Sequence, residues 1–326
     1  MTKARNAVRL SSFVFHRVRP SGQGDSPPLE LARRAGYVYS VTSPRHAMSV
    51  DVEDWFHDGG IVDVDPAAHR VERNTDALLD QFAAGGARAT FFILGTVAEH
   101  HPALVRRIAA AGHEVASHGH GHHHLSQQLW REFRADVERA RHVLEDVVGA
   151  PVRGYRAPYF AIRAGVRWPI EQLAEAGYEY DSSILANDRP PGLELVSPRA
   201  PYRHHNGLWE VPVAVLPLFR FWNLPAASGW GLRVLPPRVL RNGLERFERD
   251  VGAGVFYVHP WELDPDSPTM PGPGRWWLRL GRDRFVPRLA TLLRERSFVP
   301  IRELFPQVGN GAGAPAGDVR EDRAWH

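Results

Sequence analysis

The chain has 326 residues, 43% hydrophobic and 24% charged, enough for one large domain or two small ones. It contains no cysteine, which excludes disulfides, thiolate metal sites and a thiol nucleophile. Net charge is only +3, and residues 1–45 hold eight Lys/Arg against Asp25 and Glu30, so the basic excess sits in the N-terminal segment and no nucleic-acid partner is expected of the rest.

Residues 1–44 mix Pro, Gly, Ser and Arg without periodicity and read as a disordered basic extension outside the fold. No stretch of 18 apolar residues occurs and SSFVF is too short for a signal-peptide core. Neither an integral membrane segment nor export is therefore expected, and the expected location is cytoplasmic. A first strand over about 46–51 runs into three carboxylates, Asp51, Glu53 and Asp54. Val71, Thr75, Leu78, Leu79 and Phe82 then recur at helical spacing up to Gly85 and Gly86. A continuous apolar strand over 89–94 follows, then a helix opened by Pro102 and closed by Gly112, and a third strand over 114–117. Ser126 is the expected N-cap of the longest helix, whose stripe is Trp130, Phe133, Val137, Ala140, Leu144 and Val147. Further strands are read at 152–157, 178–180, 209–213 and 254–259, with a helix around Ile170, Leu173 and Ala174. Strands alternating with helices, each strand an unbroken apolar run, indicate an α/β fold with a parallel sheet. About seven such units point to a distorted (β/α) barrel.

In such a barrel the chemistry gathers at the C-terminal ends of the strands. Here those ends carry Asp51, Glu53 and Asp54, then His118 and His122, Arg156, Asp181 and His259. Unpaired buried carboxylates are expensive, and a bound cation relieves a knot of them. His118 and His122 stand four apart, a spacing that lets two imidazoles meet one ion, with His120, His123 and His124 as competing partners. Two imidazoles and one carboxylate would hold a divalent, zinc-like ion with positions left open for water. Asp51, first after the strand, suits a general base. Glu53 and Asp54 compete for the third ligand position, Glu53 favoured. Arg156 is placed to pair with Asp51. The turn at Tyr159 is placed to aim a backbone N–H at an oxyanion. His259 is placed to protonate a leaving amine, with Asp181 as the group expected to orient it. Trp222, Trp230, Trp261, Trp276 and Trp277 read as packing residues, with sugar stacking as their alternative.

Taken together, SVDVEDWFH (49–57), ATFFILG (89–95), HEVASHGHGHHHL (113–125), RGYRAPYF (153–160), YDSSI (180–184) and VHPWELDP (258–265) resemble the NodB-homology polysaccharide deacetylases, carbohydrate esterase family 4. The DVEDWF and HPWE forms look most like the branch associated with exosortase and exopolysaccharide loci. The resemblance implies a NodB-like barrel over 45–263 with a C-terminal extension over 264–306. That segment holds Trp276, Trp277, Leu278, Phe285, Leu289, Leu292 and Leu293 and is expected to be helical and packed on the barrel, with a disordered tail over 307–326. It implies metal-dependent hydrolysis of N-acetyl groups on an acetylated polysaccharide, with Asp51 as base, His118 and His122 as ligands, Arg156 steadying the base and His259 as acid. One departure is that the acids are spaced DVED, where the family usually has two adjacent aspartates. An O-acetyl esterase, a cyclic-amide hydrolase and a non-catalytic sugar-binding homologue are the alternatives on the same scaffold.

Overall fold

Seven of the eight residues in the strand that ends in the carboxylates are buried, so both of its faces and both of its edges must be covered. The computed structural model describes residues 45–57, 64, 68–186, 198–219, 222–268 and 278–309. Its strands in chain order are β1 (Arg45–Val52), β2 (Thr90–Ile93), β3 (Glu114–Ser117), β4 (Gly154–Tyr155), β5 (Tyr180–Asp181) and β6 (Tyr202–Arg203). They continue as β7 (Trp209–Glu210), β8 (Leu216–Phe219), β9 (Trp222–Leu224), β10 (Val255–Val258) and β11 (Ser297–Val299). The main sheet runs β10-β1-β2-β3-β4-β5-β7-β6, and β8 and β9 form a separate hairpin. Every pairing along it is parallel except β6 with β7.

Helices over Val71–Gly85, Pro102–Ala110, Trp130–Val148, Arg167–Glu175, Pro237–Asp250 and Arg282–Glu295 contribute buried apolar residues to one shared core with the strands. The sheet curls far enough that Val213 bridges both Leu185 and Val255. Ala214 N–H also donates to Val255 O at 3.0 Å. Single residue pairs, rather than a ladder, therefore tie the β10 edge back to the β5–β7 side. The barrel of about seven strands expected from the sequence is a curled sheet with eight strands in its path. Strands β4, β5 and β7 fall where strands are expected, at 152–157, 178–180 and 209–213, but are only two residues long; β6, equally short, is announced by no apolar run.

The helix expected to start at Ser126 starts at Trp130 instead. Ser126 sits in a 3-10 turn and bonds His124, while Glu132 reaches back to accept from Leu129 N–H at 2.8 Å. At the other end of the chain, Phe285, Leu289, Leu292 and Leu293 join the main core. This segment is not only helical, because β11 pairs with the first half of β1, Arg45 opposite Ser297 and Ala47 opposite Val299. Val308 is buried beside Phe305, so the described fold runs past residue 306 to Gly309. The 1–44 extension, Trp276, Trp277, the Trp222 side chain and residues 310–326 lie outside the described residues.

Phe285 is fully buried, and truncating a core Phe to Ala costs about 3–5 kcal/mol against a total stability of about 5–15 kcal/mol. Phe285→Ala should lower the urea midpoint markedly with little change in slope. A chain ended at Asp266, lacking both Phe285 and β11, should be insoluble or melt well below the parent.

Candidate active site

The C-terminal ends of β1, β3, β4 and β10 bring the predicted groups to one rim of the sheet. Glu53, His118 and His122 each offer a ligand atom, all within 4.8 Å of one another, and all three residues are buried. Backbone carbonyls set the two imidazoles. His118 Nδ1 lies 2.9 Å from Arg156 O, and His122 Nδ1 lies 3.1 Å from His57 O. A carbonyl can only accept, so each Nδ1 carries the proton and each Nε2 is left as the ligand atom. His122 Nε2 in fact meets Glu53 Oε2 at 2.5 Å. Burial pushes His118 down to about 4, so it is neutral at pH 7, as a ligand must be. Burial would raise Glu53, but the neighbouring His122, with His259 and His118, holds it well below the usual carboxylate range. The donor set thus fits a divalent metal ion.

The loop carrying the imidazoles is shaped by a residue that the sequence reading missed. Asp136, nearly two turns into the helix Trp130–Val148, accepts from His120 N–H at 2.7 Å and Gly121 N–H at 3.1 Å. Gly119 has φ +77°, and a Cβ there would fall 2.9 Å from Asp136 Oδ2, so the close approach requires glycine. The competing histidines go elsewhere: His120 to Glu99 at 3.2 Å and His123 to Asp136 at 3.4 Å, while His124 accepts from Ser126 N–H. His122, Tyr159 and Phe160 are the non-glycine residues with positive φ among those described, and all three belong to this site.

Of the two acids left open, only Glu53 faces the imidazoles. The Asp54 carboxylate accepts from Trp55 N–H at 2.8 Å, Arg70 N–H at 2.6 Å and Val71 N–H at 2.9 Å. It thereby satisfies donors at the start of the helix Val71–Gly85, and is placed away from the cluster.

Asp51 is buried, and its Oδ1 accepts from Arg156 Nη1 at 2.7 Å. Its Oδ2 faces His259 Nε2 at 4.0 Å. The same His259 nitrogen lies 3.6 Å from Glu53 Oε1. Burial disfavours a cationic His259, but Glu262, Glu53 and Asp51 outweigh it and raise the ring to about 9. Tyr159 adopts φ 60°, and its hydroxyl donates to His57 O at 3.2 Å, the carbonyl that also receives His122.

The structure does not bring Asp181 to His259. Asp181 Oδ1 accepts from Ser183 Oγ at 2.5 Å, and its neighbour across the sheet is Glu210. Burial, then the adjacent Glu210, pushes Asp181 well above the usual range, and burial pushes Glu210 up to about 8. Each of the two buried carboxyls therefore keeps its proton further up the pH range than an exposed acid would. The acid that faces His259 is Glu262, three residues further along the same motif.

Fold and donor set together describe a hydrolase-type site suited to a divalent ion. The polysaccharide deacetylase family model matches residues 56–180, and that of a domain of unknown function (DUF3473) matches 182–306. The chain therefore carries a polysaccharide deacetylase domain and is an enzyme of the deacetylase class. It is 25% identical over 210 residues to a peptidoglycan-N-acetylglucosamine deacetylase of Bacillus cereus, covering 58% of this chain and 72% of that protein. It is 40% identical over 143 residues to a chitooligosaccharide deacetylase of Sinorhizobium fredii, covering 39% of this chain and 66% of that protein, just under two thirds. In fold it is similar to a Mycobacterium smegmatis crystal structure classed among the polysaccharide deacetylases, with TM-score 0.57, 23% identity, and coverage of 86% and 95% of the two chains.

Two outcomes follow for stability. Asp54→Ala strands three backbone N–H groups and should cost about 1–3 kcal/mol in urea unfolding. Glu210 holds its proton up to about 8 in the fold against an ordinary value of 4.5, so folding takes up a proton between those values. Its contribution is complete below pH 4.5 and is lost as pH rises to 8. Glu210→Gln should flatten the fall in melting temperature across that window, whereas a parallel fall in both proteins would exclude the raised value of Glu210.

Proposed function

We propose that this protein removes N-acetyl groups from amino sugars of a polysaccharide, using a zinc ion held by Glu53, His118 and His122. The observation that carries the reading is the meeting, on one rim, of that three-donor cluster with a carboxylate fixed by arginine and an imidazole 4.0 Å from that carboxylate. The names of the two relatives support the substrate class, since each is a deacetylase of N-acetylglucosamine-containing or chito-oligomeric sugars. The DVEDWF and HPWE forms of the motifs favour a place in exopolysaccharide biosynthesis.

When bound, the ion supplies Lewis acidity toward an acetyl carbonyl and lowers the pKa of water toward about 7. Asp51 Oδ2 takes the proton of the attacking water, its other oxygen being held by Arg156. The backbone N–H of Tyr159 is the donor assigned to the oxyanion that develops on the former carbonyl oxygen. His259 Nε2 delivers a proton to the amide nitrogen as the C–N bond breaks. Acetate and a free amino sugar leave, and the proton held by Asp51 restores His259, 4.0 Å away.

Acetate release from N-acetylglucosamine oligomers should be abolished by chelator and restored by zinc. Asp51→Asn should keep the metal while losing about 10²–10⁴-fold in turnover. Elemental analysis should show metal lost in Glu53→Ala and His118→Ala but kept in Asp54→Ala. Equal metal in all three would remove this ligand assignment.

A further inference from the structure

Glu262 performs no step in the reaction described above, yet it is buried and held on every side. Its Oε2 accepts from His259 N–H at 3.0 Å and lies 3.4 Å from His259 Nδ1. The second contact is long and poorly aligned for a hydrogen bond, as catalytic contacts often are until substrate tightens them. Its Oε1 accepts from Arg233 Nε at 2.9 Å, and both residues are buried. Arg233 is anchored in turn, with Nη1 donating to Leu278 O at 2.9 Å and Leu280 O at 3.0 Å. Space for the carboxylate comes from Gly229, where a Cβ would fall 1.7 Å from Glu262 Oε2. The His259 ring also stacks on Trp261, with centroids 5.0 Å apart at 21°, and Trp261 Nε1 donates to Glu53 Oε1 at 3.1 Å.

We propose that Glu262 is the positioning residue of His259, holding Nδ1 as the protonated, carboxylate-facing atom so that Nε2 is the one turned toward Asp51 and Glu53. The inference rests on the reading of His259 as the proton donor. Every residue of the support, Gly229, Arg233, His259, Glu262, Leu278 and Leu280, falls within 182–306. Carrying and orienting the acid is therefore the role assigned to that second module. The glutamate does not touch the substrate: it fixes a tautomer and a ring direction, which a neutral amide in its place would leave undetermined.

The test uses the full chain loaded with zinc. Glu262→Gln should lower kcat for acetate release by about 10²-fold with KM changed less than about twofold. Gly229→Ala, which displaces the carboxylate without altering it, should lower kcat in the same way. Glu262→Gln combined with Arg233→Met removes both buried charges, so no lone arginine is left to unfold the protein. It should melt near the parent and remain slow. If the double variant regains parental kcat, Glu262 merely balances Arg233 and the proposal is overturned. Long-range ¹H–¹⁵N spectra of the imidazoles give a reading independent of turnover: the protonated Nδ1 signal of His259 should be present in the parent and shifted or lost in Glu262→Gln. Should the parent release no acetate while this signal behaves as described, the deacetylase reading fails and the positioning role stands. An Nδ1 signal unchanged by Glu262→Gln overturns the positioning role.

Discussion

One buried guanidinium holds the two halves of the chemistry in register. Arg156 divides its donors among Asp51 Oδ1, Ser49 Oγ, Ser182 O and Ser182 Oγ, at 2.7 to 3.0 Å, and lies over the Phe92 ring. Its own carbonyl receives His118 Nδ1. The side chain thus sets the base while the main chain of the same residue sets a ligand. Ser49 passes its proton on to Phe256 O in β10, and Ser182 Oγ passes its own to Val211 O beyond β7. The pair is stitched to both ends of the sheet. Removing either partner of such a buried pair leaves the other uncompensated, at a cost of about 3–5 kcal/mol. Movement at one strand end is accordingly felt at all of them.

Strand-end position puts Asp51, His118, His122, Arg156 and His259 on one rim, because a parallel sheet sends successive C-terminal ends to the same side. The same rule misplaced Asp181. Its strand lies further round the curl, and the carboxyl turns to Glu210 and Ser183. Asp54 was ambiguous for a different reason. Its partners, Arg70 and Val71, are supplied by a helix sixteen and seventeen residues away, which no local spacing reveals. Asp136 and Glu262 were both readable after the fact: the first as an acid near the start of the helix after the His-rich loop, the second as the fourth residue of HPWE. What each one holds is a matter of tertiary approach. Strand β6, the brevity of β4, β5 and β7, and the pairing of β11 with β1 were illegible because they rest on register, not on composition.

The boundary between the two matched families does not follow the structure. It falls between residues 180 and 182, inside β5 and its exit. On the far side lie β7, β10 and β11, all members of the sheet begun by β1. Neither segment closes the curl alone. The base and the three donors come from before the boundary, the cationic imidazole from after it. Two sequence families have here become one structural unit with a divided site.

The central position of β1 has a consequence for the order in which the molecule can assemble. Its partners on the sheet are β2, close behind it, and β10 and β11, which end at Val258 and Val299. At about 5–20 residues per second, a ribosome needs on the order of tens of seconds to deliver them. During that interval the nascent chain presents β1 with an open edge whose residues are AMSV, Met48 and Val50 on one face and Ala47 and Ser49 on the other. Sheets dominated by such distant pairings fold slowly, and an open apolar edge is a template for association between chains. The carboxylates at the end of β1 stand next to that edge, unpaired by the late-arriving imidazole, and their mutual repulsion opposes stacking of one nascent β1 on another.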